Sequence, residues 1–216
     1  MFALTSIEHR YDAALVLRVD AWAAVAGDHW LLSGPSGSGK TTLLHILAGL
    51  TVPTAGTVSV GGVDLATLSG GALDRWRGRH VGLVPQRLHL VGALDVFGNL
   101  ALARYLAGLP PDPARARDLL DAMGIGDLGR RYPRQLSQGQ AQRVAIARAV
   151  VNGPTLVLAD EPTANLDDVQ AQAALEVLRR QAEVVGATLV VASHDARVRA
   201  SLPAVHALPS RVPEPA

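Results

Sequence analysis

Gly34-Pro35-Ser36-Gly37-Ser38-Gly39-Lys40-Thr41 fits the spacing G-x-x-x-x-G-K-[ST] without a mismatch, between an apolar run at His29 to Leu32 and the stretch TLLHILAGL that begins at Thr42. At average glycine usage, chance yields this pattern in on the order of 1% of chains of this length. Strand, glycine loop and helix in that order make a phosphate cradle. The glycines let the backbone curl so that N–H groups point inward, and the following helix adds its dipole at the same place. Lys40 is placed to reach β- and γ-phosphates, and the Thr41 hydroxyl to ligate Mg²⁺.

The loop is one of several polar segments that follow apolar runs. Val81 to Val84 leads into Pro85-Gln86, Thr155 to Ala159 into Asp160-Glu161, and Thr188 to Ala192 into Ser193-His194. Short continuous Val- and Leu-rich runs suit strands buried on both faces of a parallel sheet. Ligands bind outside the carboxyl ends of such strands. The reading therefore brings Lys40, Gln86, Asp160, Glu161 and His194 to one sheet edge. Asp160 is the natural second anchor for Mg²⁺, and Glu161 beside it can accept a proton from an attacking water, which favours hydrolysis over transfer to a bound acceptor.

Helices separate the runs. After Asp167, apolar positions from Ala171 to Val185 keep helical spacing until Gly186, and Asp112 before Pro113 marks a helix start. Between Gln86 and Asn152 the pattern is helical with no buried strand, so this block reads as an insertion into the sheet domain. Arg87, Arg104 and Arg115 in it read as solvated surface, and Val212 to Ala216 as a frayed tail.

Composition excludes other classes. The 216 residues are 49% hydrophobic and 18% charged, with net charge +1 and no cysteine. That is too apolar for a disordered chain and too balanced to bind nucleic acid by bulk charge, and it excludes a disulfide scaffold or thiolate zinc site. The N-terminus lacks the pattern of a signal peptide, and no run suits a membrane span, so a cytoplasmic protein is expected. Lys40 is the only lysine among 20 basic residues. A planar guanidinium fits a tight backbone cradle poorly, whereas a compact ammonium on a flexible stem fits well.

Leu136-Ser137-Gln138-Gly139-Gln140, followed by AQRVAIARAV, reads as a second Ser-capped helix able to hold an anion. One nucleotide has a single γ-phosphate, so this helix is expected to serve the nucleotide of a second copy of the chain, across a twofold axis. With these motifs in this order, the chain resembles the ATP-binding cassette ATPases, the nucleotide-binding subunits of ABC transporters. GLVPQ, QRVAIARAV, LADEPTANLD and SHD carry the resemblance over nearly the whole length.

The resemblance implies an α/β P-loop NTPase fold of RecA-like type. It comprises a parallel-sheet core with an N-terminal antiparallel β part (residues 1–86 and 152–208), an inserted helical subdomain (87–151) and a tail (209–216). It implies a Walker A loop from Gly34 to Thr42, a Q-loop glutamine at Gln86 that also attends the metal, and a signature with Ser137, Gly139 and Gln140 contacting the partner's nucleotide. A Walker B aspartate at Asp160, catalytic Glu161, a D-loop Ala164-Asn165-Leu166-Asp167 and a switch histidine at His194 follow; Tyr11 is the candidate adenine stacker. The implied ligands are ATP and Mg²⁺. The implied partners are a second copy and a transmembrane permease docked on the helical block, with the subunit peripheral to the inner face of a bacterial cell membrane.

Two features depart from the family pattern. Gln138 stands where the signature usually has glycine, and after His194 the usual closing strand-and-turn with its glycine is missing, so no regulatory C-terminal domain is expected. The PTANLD run and the block ending in Asn99-Leu100 look most like the lipoprotein-release and macrolide or peptide export group. A solute importer ATPase, and an ATPase transmitting force to a cell-envelope hydrolase, stay as alternatives. The soluble ABC proteins of translation or DNA repair would need tandem cassettes, a coiled coil or zinc-binding cysteines.

Overall fold

The protein was analysed as a computed structural model, which describes residues 1–164, 166–202 and 204–209. Asn165 of the expected D-loop and most of the expected tail lie outside the described residues. Strands β1 (Phe2–Tyr11), β2 (Ala14–Ala24), β4 (Ala55–Val60) and β5 (Val63–Asp64) form an antiparallel sheet in the order β2-β1-β4-β5. Strands β3 (His29–Ser33), β6 (Val81–Val84), β7 (Leu156–Asp160), β8 (Thr188–Ala192) and β9 (Ala204–Ala207) form a parallel sheet in the order β6-β7-β8-β3-β9.

Alternation along the parallel strands divides the interior into two cores. Leu32, Leu156, Leu158 and Val190 pack on α1 (Lys40–Leu47) and the antiparallel sheet, whose inner face supplies Phe2, Leu4, Ile7 and Trp22. Leu31, Val157, Leu189 and Val191 turn to the opposite face and pack against residues of α3 (Val96–Leu106), α4 (Pro113–Ala122), α5 (Gln138–Val150) and α6 (Asp168–Val184). Both faces are covered, which explains why these strands read as continuous apolar runs. An eight-residue helix such as α1 is marginal by itself in water. Leu43, Leu44, Ile46 and Leu47 are at most 1% exposed. Burial of each contributes about 2 kcal/mol, so the core holds α1 and the loop before it.

The remaining helices are α2 (Gly70–His80) and α7 (Ala196–Ser201). Asp112 caps α4 by accepting from the Arg115 amide, with Pro113 in the first turn, and Asp167 caps α6 by accepting from the Gln170 amide. Between Gln86 and Asn152 the described backbone holds α3, α4 and α5 and no strand.

Two expectations are corrected. The chain does close with a strand after His194: β9 pairs with β3 in parallel, Trp30 opposite Ala204 through Ser33 opposite Ala207. This edge strand is short, and it is fixed by tertiary contact, with His206 stacked on Trp22 at 4.3 Å between centroids. Arg104 is not solvated but 9% exposed, donating from Nε to Pro110 O and from a terminal guanidinium nitrogen to Val151 O, while Arg115 Nε also donates to Val151 O. These arginines satisfy Val151 O where α5 ends and Pro110 O ahead of α4, a task that leaves no mark in a one-dimensional pattern.

Candidate functional site

The parallel strands β3, β6, β7 and β8 end at one edge, and there a cavity of about 390 Å³ opens, lined by Tyr11, Val16, Ser36, Gly37, Gly39 to Thr42, Gln86, Asp160, Glu161 and His194. The phosphate loop leaves β3 at Ser33 and enters α1 at Gly39, which has φ +92°; an added Cβ there would lie 3.0 Å from Val16 O and 3.1 Å from Leu17 Cδ1. Glycine is therefore required twice over, by backbone conformation and by space. No side chain caps α1, so its first N–H groups keep their donors free of intrahelical partners. Behind the loop, a Cβ on Gly34 would lie 3.2 Å from Leu208 O, and the Leu208 amide donates to Ser33 O. The segment after β9 thus buttresses the loop from the far side.

Lys40 is buried, and its Nζ donates to Gly34 O at 2.8 Å and Pro35 O at 3.1 Å, with Glu161 Oε1 at 3.9 Å. The Thr41 hydroxyl donates to Asp160 Oδ2 at 2.7 Å, across a sequence separation of 119 residues. Asp160 is 7% exposed and its Oδ1 has no hydrogen-bond partner. Burial raises the pKa of this carboxyl, opposed by the Thr41 hydrogen bond and reinforced by the neighbouring charge of Glu161. A buried carboxylate with one orphaned oxygen beside a hydroxyl suits a hard cation, and the donor set fits Mg²⁺, which commonly takes one or two protein carboxylates together with substrate phosphates. Among the described residues no cluster of three His, Cys, Asp or Glu could hold a metal ion.

Glu161 adopts φ +45°, a left-handed conformation that is strained for any residue but glycine. Its surroundings hold it there. The Glu161 amide donates to Ala192 O, its Oε2 accepts from Ser193 Oγ at 2.9 Å, and its Oε1 lies 2.7 Å from His194 Nδ1. The result aims a carboxylate with little exposure at the cavity while the His194 side chain stays 73% exposed. Tyr11 sits at the rim, 54% exposed, with His9 packed edge-on against its ring at 4.8 Å.

Ser137, Gly139, Gln140 and Asp167 do not line this cavity. They form a second group where α5 and α6 begin. Ser137 Oγ accepts from the Gln140 amide and Gln140 Oε1 accepts from the Ser137 amide, a reciprocal cap. Asp167 accepts from the amide and the side-chain Nε2 of Gln170, whose Oε1 lies 3.7 Å from where a Gly139 Cβ would stand.

Ser193 and Asp195 flank His194 in the SHD stretch, yet the sequence reading assigned them no task. Both turn out to hold the loop, Ser193 through Glu161 and Asp195 by accepting from the Thr163 hydroxyl and from Arg197. Val16 in the cavity wall carried no signal, being an ordinary strand residue.

The sequence profile of the family described as "ABC transporter" matches residues 19–164. The lipoprotein-releasing system ATP-binding protein LolD of Shewanella denitrificans is 42% identical over 178 residues, covering 82% of this chain and 76% of that protein. The macrolide export ATP-binding/permease protein MacB of Burkholderia cenocepacia is 43% identical over 204 residues, 92% of this chain but 30% of the longer relative. The bacterial ABC transporter cassette MJ0796, solved as a dimer, superposes with a TM-score of 0.88 at 30% identity, over 97% of this chain and 95% of that one. Its post-hydrolysis dimer bound to ADP and Pi gives 0.87 at 30% identity, over 96% and 94%.

Proposed function

The chain belongs to the ABC transporter family, and from that premise we propose that the cavity at its sheet edge binds ATP and hydrolyses the γ-phosphate bond. One constellation carries this reading: Lys40, the Thr41–Asp160 pair and the Glu161–His194 pair surround a single hollow. On binding, Lys40 Nζ exchanges the neutral carbonyls of Gly34 and Pro35 for anionic phosphate oxygens, a change that strengthens its hydrogen bonds. The backbone from Gly34 to Thr42 and the start of α1 cradle the phosphates, and Tyr11 offers a face for the base. Thr41 and Asp160, with Gln86 across the cavity, are the residues that would hold Mg²⁺. When bound, that ion neutralises charge on the β- and γ-phosphate oxygens.

Glu161 accepts a proton from the attacking water as the new O–P bond forms. The bond to the β–γ bridging oxygen breaks and that oxygen leaves with ADP. His194 and Ser193 keep the Glu161 carboxylate aimed. Ser137, Gly139, Gln140 and Asp167 serve the nucleotide of a second copy, related by a twofold axis so that each copy completes the other's site. The mechanical output passes to a transmembrane permease through residues 87–151, and this places the subunit at the cytoplasmic face of a bacterial membrane. LolD and MacB support an export or lipoprotein-release type of permease.

Lys40→Ala tests the site directly. Phosphate release should fall by at least about 100-fold, the scale of losing a charged group aimed at the transferring phosphoryl. Turnover at the wild-type rate would refute the assignment.

A further inference from the structure

The residues holding His194 continue beyond the cavity. Asp195, the next residue, accepts from Arg197 Nε at 2.8 Å and from Thr163 Oγ1 at 3.0 Å, and Arg197 Nη2 lies 2.6 Å from its Oδ2 as an ion pair. The same guanidinium turns its remaining nitrogen to Asp168 Oδ1 at 2.6 Å. Asp168 is the first residue of α6, directly after the Asp167 cap. One planar fork therefore joins two places: the loop that carries His194, and the helix start beside the group assigned to the second copy. The Asp195 side of the joint is nearly buried, at 17% exposure, whereas Asp168 is 92% exposed. An ion pair that open contributes little to stability. Its effect is to fix direction, because the nitrogens of one planar guanidinium that meet Asp195 and Asp168 are held at set angles to each other.

We propose that Arg197 is a positioning residue: it locks the His194 loop to the first turn of α6, so that the aim of Glu161 depends on the seating of the Asp167 end against the second copy. The path runs through named contacts, from Asp168 to Arg197, Asp195, Ser193 Oγ and Glu161 Oε2. Arg197 does not line the cavity and acts only through this chain of bonds. This inference rests on the ATPase reading above.

The experiment compares steady-state phosphate release by Arg197→Ala, Asp168→Ala, the double variant and Asp168→Glu. Arg197→Ala and Asp168→Ala should each lower kcat about tenfold, the order expected when a reacting group is slightly misplaced, and leave the KM for ATP within about twofold. The double variant should be no slower than the slower single one, because both remove one joint. Asp168→Glu, which keeps the carboxylate, should recover most of the rate. If Asp168→Ala turns over at the wild-type rate, or if Arg197→Ala raises KM in step with the loss of kcat, the proposal is overturned. Asp168 is exposed and its replacement cannot collapse a core, so it carries the test even if Arg197→Ala folds poorly. Lys40→Ala separates the two levels: if it abolishes hydrolysis while Asp168→Ala has no effect, only the positioning role falls.

Discussion

Lys40 folds onto the carbonyls of its own loop and still reaches within 3.9 Å of Glu161, so its placement depends on a compact head group at the end of a flexible stem. The lone lysine in an arginine-rich chain marks that position in the sequence itself, because arginine can replace lysine freely only where no tight cradle must be filled. Glu161 was legible as an acid beside Asp160, but its left-handed backbone and its bonds to Ser193 and His194 were not, since they join strand ends far apart in sequence. Arg197 left no trace for the same reason. Its guanidinium holds the Asp195 carboxyl well below the ordinary carboxylate range, at about 2. An unperturbed aspartate titrates near ~3.9, so the stability from this pairing is in place above that value and is lost as pH falls through the folded-state value. A carboxyl-carbon NMR titration should give Asp195 a midpoint near 2, and Arg197→Ala should return it toward ~3.9. A midpoint unmoved by the substitution would show that the guanidinium is not its cause.

Elements marked by a continuous apolar run or by a helical period were readable, and one with neither was not. β7 and β8 are buried at every position, and α6 carries its apolar stripe to the expected end near Gly186. β9 has half-exposed residues, no alternation of apolar and polar types, and a place in the sheet that comes from β3 and from the Trp22–His206 stack. Because the segment just after it presses on Gly34, this edge strand bears on the phosphate loop. Burial lowers the pKa of His206. The unfolded chain therefore takes up its proton first as the solution is acidified. By linkage, the docking of β9 is strongest above the ordinary histidine value of ~6.5 and weakens as pH falls below it. Amide exchange at Val205 and His206, corrected for its intrinsic pH dependence, should show less protection at pH ~5.5 than at pH ~7.5 in the wild type, with the difference abolished in His206→Phe. Equal protection at both values would rule out the histidine as the cause.

At the scale of the molecule, the parallel core was foreseeable from alternating strand and helix signals and the antiparallel sheet only from the family resemblance, whereas the seat of α1 between the two sheets emerged with the structure; a solved cassette of the family superposes over nearly the whole chain. A single chain, however, leaves its signature group outside its own cavity. Ser137 and Gly139 begin a thirteen-residue helix, and Asp167 begins one of seventeen, yet neither start faces the phosphate loop of the same copy. That division is what the proposed twofold assembly explains, each copy completing the other's site as the dimeric relative's architecture allows. Glu161→Gln addresses the proposed assembly, because the amide keeps the shape of the side chain while removing the carboxylate proposed to accept the water's proton. Light scattering of Glu161→Gln should report a monomer without nucleotide and a dimer of twice the mass with saturating ATP and Mg²⁺. A variant that binds ATP under those conditions and stays monomeric would contradict the account.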